Sequence, residues 1–157
     1  MNRNQIIRAA IALAVLGTSA STLAQGSPSA SRNSFSQADL NNDGKISLDE
    51  FHKDIVRGFH ALDFDRDGYI SSADLRSLPD RAHVRALERM LRRADADKDG
   101  KLSFAEVVKV RMSDFDEADT DNDATISLAE ALAFDAKRRE QMSAERESRR
   151  QARTPAR

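Results

Sequence analysis

Apolar residues keep one phase four times along this chain. Phe35 and Ala38, Phe59 and Leu62, Leu91 and Ala94, and Phe115 and Ala118 each stand one helical turn apart, and after a polar stretch of twelve residues come Phe51, Leu75, Val107 and Ala131. A polar stretch flanked on both sides by helix-period apolar positions is a helix–loop–helix unit whose inner faces share a core. Each stretch is interrupted at the same place by one apolar residue, Ile46, Ile70, Leu102 or Ile126. That residue is what two loops need to pair through a short antiparallel bridge and bury a side chain from each. The pattern predicts an all-α fold, with four helix–loop–helix units in one compact domain over 35–134 and short antiparallel bridges between paired loops.

The spacing says how the units are joined. With Asp39, Asp63, Asp95 and Asp119 as first residues, the loops start 24, 32 and 24 residues apart and leave connections of 12, 20 and 12 residues. Twelve residues do not comfortably hold two helices, so Leu48 to Leu62 reads as one helix leaving loop 1 and entering loop 2, and Phe104 to Ala118 as its counterpart between loops 3 and 4. Each is roughly 22 Å long at about 1.5 Å per residue, which puts the loops it joins at opposite ends. In the middle, Leu75 to Leu78 gives a short exiting turn, Pro79 breaks it, and Asp80 to Arg93 forms an amphipathic helix with Val84, Leu87, Leu91 and Ala94 on one side. That connection folds back, so loop 2 faces loop 3 and loop 1 is left for loop 4. Gly58 and Ser113 keep a second arrangement open, since a break at each would restore pairing of 1 with 2 and 3 with 4. Arg81, Arg85 and Arg89 line the opposite face of the central helix as a solvated stripe.

The polar stretches carry the chemistry. Position 1 is Asp39, Asp63, Asp95 and Asp119; position 3 is Asn41, Asp65, Asp97 and Asp121; position 5 is Asp43, Asp67, Asp99 and Asp123; position 12 is Glu50, Asp74, Glu106 and Glu130. Backbone carbonyls at position 7 belong to Lys45, Tyr69, Lys101 and Thr125, and position 9 is serine throughout (Ser47, Ser71, Ser103, Ser127), short enough to reach a cation directly or through water. A hard divalent cation takes six to eight oxygens, and a tight loop with alternate side chains turned inward provides them. Gly44, Gly68 and Gly100 supply the sharp turn at position 6, where loop 4 has Ala124. Solvated acidic turns would not need an apolar residue in phase four times.

These loops resemble those of the EF-hand superfamily through D-x-N-x-D-G once, D-x-D-x-D-G twice and D-x-D-x-D-A once, each with an acid at position 12. The resemblance covers about Phe35 to Phe134 and implies calcium, up to four ions, as the bound cofactor. The short connections are similar to those of lanmodulin, a periplasmic EF-hand family that binds lanthanides. That family has proline at position 2 and aspartate at position 9, where this chain has Leu40, Phe64, Ala96 and Thr120 and then the serines, so lanthanide selectivity does not carry over. The loops are unequal. Loop 3, with four carboxylates, Gly100 and Glu106, ranks strongest, and loop 1 has one carboxylate fewer through Asn41. Loop 2 ends in the shorter Asp74, less able to give two oxygens and so weaker for calcium or suited to magnesium. In loop 4, Ala124 would sit in a left-handed conformation costing about 1 to 2 kcal/mol.

Charge and the chain ends refine this. Residues 25–135 carry 15 basic and 23 acidic residues, a net of −8, so bound cations would relieve repulsion and couple binding to stability or folding. From Ala136 onward the sign reverses, with eight basic residues against three acidic. The first 24 residues read as a signal peptide: Arg3 and Arg8, an apolar run through Ile11 to Leu16, and Thr22-Leu23-Ala24 before the expected cleavage. That run is too short to span a bilayer, no span follows it, and the chain has no cysteine for a lipid anchor or disulfide. The expected organisation is signal peptide 1–24, flexible linker 25–34, the four-unit domain 35–134, and an Arg-rich tail 135–157, helical or disordered. The alanine-rich signal and arginine-rich composition point to a bacterial protein of the periplasm or secreted space. His52, His60 and His83 are scattered, there is no cysteine nucleophile, and the clustered acids are all accounted for as ligands, so no enzyme is expected. Nor is a nucleic-acid partner. A calcium buffer, calcium-stabilised scaffold or sensor is the main expectation, and the alternatives are a calcium-dependent adaptor holding a protein or anionic partner through the basic tail, or a binder of magnesium or lanthanide ions.

Overall fold

The structure, a computed structural model, describes residues 28–78 and 81–153. Along the chain it has helix α1 (Pro28–Ala38), strand β1 (Lys45–Ser47), α2 (Leu48–Leu62), β2 (Tyr69–Ser71), α3 (Ser72–Arg76), α4 (Arg81–Ala94), β3 (Lys101–Ser103), α5 (Phe104–Ala118), β4 (Thr125–Ser127) and α6 (Leu128–Arg153). The signal peptide expected over 1–24 lies outside the described residues. Helix α1 starts within the segment expected to be a linker, 25–34. Phe35 and Ala38 reach the core only from a formed helix, and Pro28 at its first position costs it no hydrogen bond. The tail is helical as far as Arg153.

Helices α2 and α5 run unbroken through Gly58 and Ser113. Glycine inside a helix costs about 1 kcal/mol relative to alanine, which burial of its neighbours Ile55, Phe59 and Leu62 offsets. The consequence is the pairing predicted from the connection lengths. Strand β1 pairs antiparallel with β4, Ile46 opposite Ile126, and β2 pairs antiparallel with β3, Ile70 opposite Leu102.

Two cores follow, one under each strand pair. Under β2–β3, in what we call lobe 2/3, Phe59, Leu62, Leu75, Leu78, Val84, Leu87, Leu91 and Leu102 pack together. Under β1–β4, in lobe 1/4, are Phe35, Ile46, Phe51, Ile55, Phe115, Ile126 and Phe134, with Phe51 and Phe115 rings 5.0 Å apart. Helix α2 gives Phe51 and Ile55 to one core and Phe59 and Leu62 to the other. The apolar phase read from the sequence therefore serves two cores and not one.

Lobe 1/4 also holds a buried ionic layer. Asp54 on α2 is 4% exposed and pairs with Arg57, whose Nη2 donates to the Gln37 carbonyl of α1 at 3.1 Å. On α5, Arg111 lies 4.9 Å over the Phe51 ring and pairs with Asp114 at 3.4 Å; Asp114 also takes Arg138 of α6 at 2.5 Å. One Asp54 oxygen and the Nε and Nη2 of Arg111 are buried without a hydrogen-bond partner among the described residues. Burial pushes the Asp54 carboxyl up, against the pull of Arg57 and Arg111. Of the arginine stripe on α4, Arg89 is exposed, and the side chains of Arg81 and Arg85 lie outside the described residues.

Candidate metal centres

Each loop is built on the ends of two helices. The position-1 aspartate closes the entering helix: Asp39, Asp63, Asp95 and Asp119 donate their N–H to Phe35, Phe59, Leu91 and Phe115 carbonyls at 2.9 to 3.0 Å. Its carboxylate then turns back and gathers the loop. Oδ1 accepts from the N–H of position 5, and Oδ2 from that of Gly44, Gly68, Gly100 or Ala124 at 3.0 to 3.1 Å. Those contacts need left-handed backbone: φ is 84° to 86° at the three glycines and 62° at Ala124. Position 4 is left-handed as well, at Asn42, Arg66, Lys98 and Asn122.

The position-12 acid closes the far side. Glu50 Oε1 accepts from Leu40 N–H at 2.9 Å, and Asp74, Glu106 and Glu130 do the same for Phe64, Ala96 and Thr120. The second oxygen accepts from both the N–H and the hydroxyl of the position-9 serine, at 2.7 to 2.9 Å in all four loops. In loops 1, 3 and 4 that serine's Oγ accepts in turn from the glutamate N–H at 3.3 Å. This is a capping box on the exiting helix. The position-9 serines cap the exiting helices, and in loops 1, 3 and 4 the S-x-x-E spacing was the signal for it.

Loop 2 reaches the same contacts with a shorter acid. Ser71 sits at φ −114°, against −68° for Ser47 and −69° for Ser103, and its Oγ accepts from Ala73 N–H at 3.1 Å. The changed cap brings the Asp74 carboxylate to Phe64 and Ser71.

These bonds hold the acids ionised. The Ser47, Ser103 and Ser127 backbone amides, with the serine hydroxyls and the position-2 amides, lower Glu50, Glu106 and Glu130 to about 2. Burial works against Asp74, but the Ser71 hydroxyl and the backbone amides outweigh it and its carboxyl lies below the ordinary range.

Three carboxylates converge within 4.8 Å in three loops: Asp63, Asp65 and Asp74; Asp95, Asp97 and Glu106; Asp119, Asp121 and Glu130. In loop 1 Asn41 stands where the third acid would be, and its Nδ2 donates to Asp43 at 2.8 Å. The position-5 acids Asp67, Asp99 and Asp123 remain outside the trios, each accepting from the N–H of position 7. Lys45, Tyr69, Lys101 and Thr125, whose carbonyls complete the expected ligand set, are the first residues of the four strands. The donors are all hard oxygen, with no sulfur or imidazole among them, which fits calcium or magnesium rather than a softer metal.

Residues 52–111 match a family model for the EF-hand domain pair, and residues 33–56 match an EF-hand model. The chain belongs to the EF-hand calcium-binding superfamily. As an EF-hand protein it is a calcium-binding protein. The domain-pair match takes in loops 2 and 3, the two that β2 and β3 join, and the second match takes in loop 1. Loop 4 repeats the position-1, position-12 and serine-cap bonds of loops 1 and 3. Among the described residues, no helix is long and apolar enough to cross a membrane.

Proposed function

We propose that this EF-hand protein works in the periplasm or secreted space as a calcium buffer or calcium-stabilised scaffold with up to four sites, in a binding and not a catalytic role. One observation carries the reading: the carboxylates that would hold the ion are also the groups that end one helix and begin the next. The ligands would be the side chains at positions 1, 3, 5 and 12 and the carbonyls of Lys45, Tyr69, Lys101 and Thr125. Bound calcium supplies compensating positive charge at the centre of each acidic loop. Filling a loop then fixes the angle between two helices, and the two cores depend on that angle. With Asp74 closing loop 2, magnesium is favoured there first.

Circular dichroism and thermal melting of residues 25–157, titrated with calcium, magnesium and a trivalent lanthanide, test this. Calcium should raise the melting temperature over the range of about 10⁻⁴ to 10⁻³ M, typical of extracellular modules. A melting curve that ignores every ion would sink the reading. An adaptor role has one observation in its favour, since α6 runs on to Arg153, well beyond the last core residue Phe134. Deleting 136–157 separates the two, because a buffer keeps both its calcium affinity and its effect in the cell while an adaptor keeps only the affinity.

A further inference from the structure

In each strand pair one lysine crosses to the opposite loop. Lys45, at position 7 of loop 1, places Nζ 2.7 Å from Oδ2 of Asp123, at position 5 of loop 4. Lys101, at position 7 of loop 3, places Nζ 3.3 Å from Oδ2 of Asp67, at position 5 of loop 2, and 5.0 Å from the centre of the Tyr69 ring. The antiparallel register makes the two contacts equivalent, Lys45 standing opposite Ser127 and Lys101 opposite Ser71. No return contact of this kind is available, because position 7 of loops 4 and 2 is Thr125 and Tyr69.

The crossing makes the loops electrically unequal. Loops 2, 3 and 4 each carry acids at positions 1, 3, 5 and 12, but an ammonium offsets one of them in loops 2 and 4. Loop 3 keeps its full charge. We propose that Lys45 and Lys101 set the calcium affinity of the loop they reach: Lys45 weakens loop 4, Lys101 weakens loop 2, and each acts on the opposite loop more than on its own. The inference rests on the calcium reading above. A divalent ion held by Asp119, Asp121 and Asp123 would sit next to the Lys45 ammonium and be repelled by it. Both partners are partly exposed, at 49% and 36%, so the repulsion is screened. Two charges against one at about 6 Å in a water-like dielectric correspond to roughly a three- to tenfold change in affinity at low salt.

Calcium titration of the full chain followed by amide NMR tests this site by site. The N–H groups of Gly44, Gly68, Gly100 and Ala124 each bond the position-1 carboxylate of their own loop and report it separately. Lys45→Met should tighten the Ala124 response about three- to tenfold and move Gly44 less, with Lys101→Met doing the same for Gly68 against Gly100. Lys45→Arg keeps the charge and should match the wild type, and the gain should shrink as salt rises from about 0.02 to 0.5 M. If the wild-type reporters ignore calcium, the calcium reading falls and this inference with it. If they respond but Lys45→Met leaves Ala124 unmoved, or moves Gly44 more, this inference alone is overturned.

Discussion

The two lobes share two helices and one loop design, yet they are held together differently. Lobe 2/3 is closed by aliphatic side chains, with Leu75 and Leu102 each 1% exposed and Leu87 at 2%. Lobe 1/4 closes over phenylalanines and over Asp54, Arg111 and Asp114, some of whose polar atoms are buried without partners. A buried ionic layer seldom exceeds an apolar one in stability, and an unpartnered buried polar atom costs about 1 to 3 kcal/mol. The difference teaches which lobe is the more readily opened: lobe 1/4 has less to lose when water enters.

Acid gives the largest effect and strikes both lobes. Glu50, Glu106 and Glu130, held at about 2 when folded, stabilise the calcium-free protein fully above their ordinary value of 4.5, and that contribution is lost as pH falls from there toward 2. Asp54 has the opposite sign, since its raised carboxyl makes protonation favour the fold. Melting temperatures of calcium-free protein should hold steady from pH 7 to about 4.5 and fall from there to about 2.5, and Asp54→Asn, which removes the opposing contribution, should make the fall steeper. Next in size, Leu87→Ala should cost about 3 kcal/mol in urea unfolding and speed hydrogen exchange in β2 and β3 more than in β1 and β4. Equal acceleration in both strand pairs would make the lobes one cooperative unit.

Asp114→Ala should cost about 2 kcal/mol by leaving Arg111 without its partner, and adding Arg111→Met should restore most of it. Failure of the second change to restore stability would mean that the ionic layer contributes specific geometry and not merely a buried charge. The smallest effect is in loop 4. Ala124→Gly should stabilise calcium-free protein by about 1 kcal/mol by relieving a left-handed alanine, and should raise loop 4's calcium affinity. A Cβ at the matching glycine of the other loops would meet nothing within 4 Å, so the reverse change Gly100→Ala tests backbone strain alone.

Much of this was legible in the residues. Loop pairing followed from length, because a single helix between two loops must carry them to opposite ends. The apolar phase named most of the core, from Phe35 to Ile126. What was not legible depends on contacts distant in sequence. Asp54 and Arg111 look like ordinary charges on helix surfaces until α2, α5 and α6 are brought together, and nothing local sets Lys45 against Asp123. The serine caps were written in the sequence as S-x-x-E, but there the same oxygen could serve a helix or an ion. Only the bond from the position-12 N–H to Ser Oγ in loops 1, 3 and 4 shows it serving the helix.

The closing of β1 on β4 has a consequence for the order in which the chain folds. Ile70 and Leu102 are 32 residues apart, whereas Ile46 and Ile126 are 80 apart. Closing the longer span costs only about 0.8 kcal/mol more in chain entropy, but it requires both termini of the domain to be present. As the chain emerges N-terminus first, lobe 2/3 can form once α5 is out, while loop 1, the first loop to appear, waits for nearly the whole domain before it meets its mate.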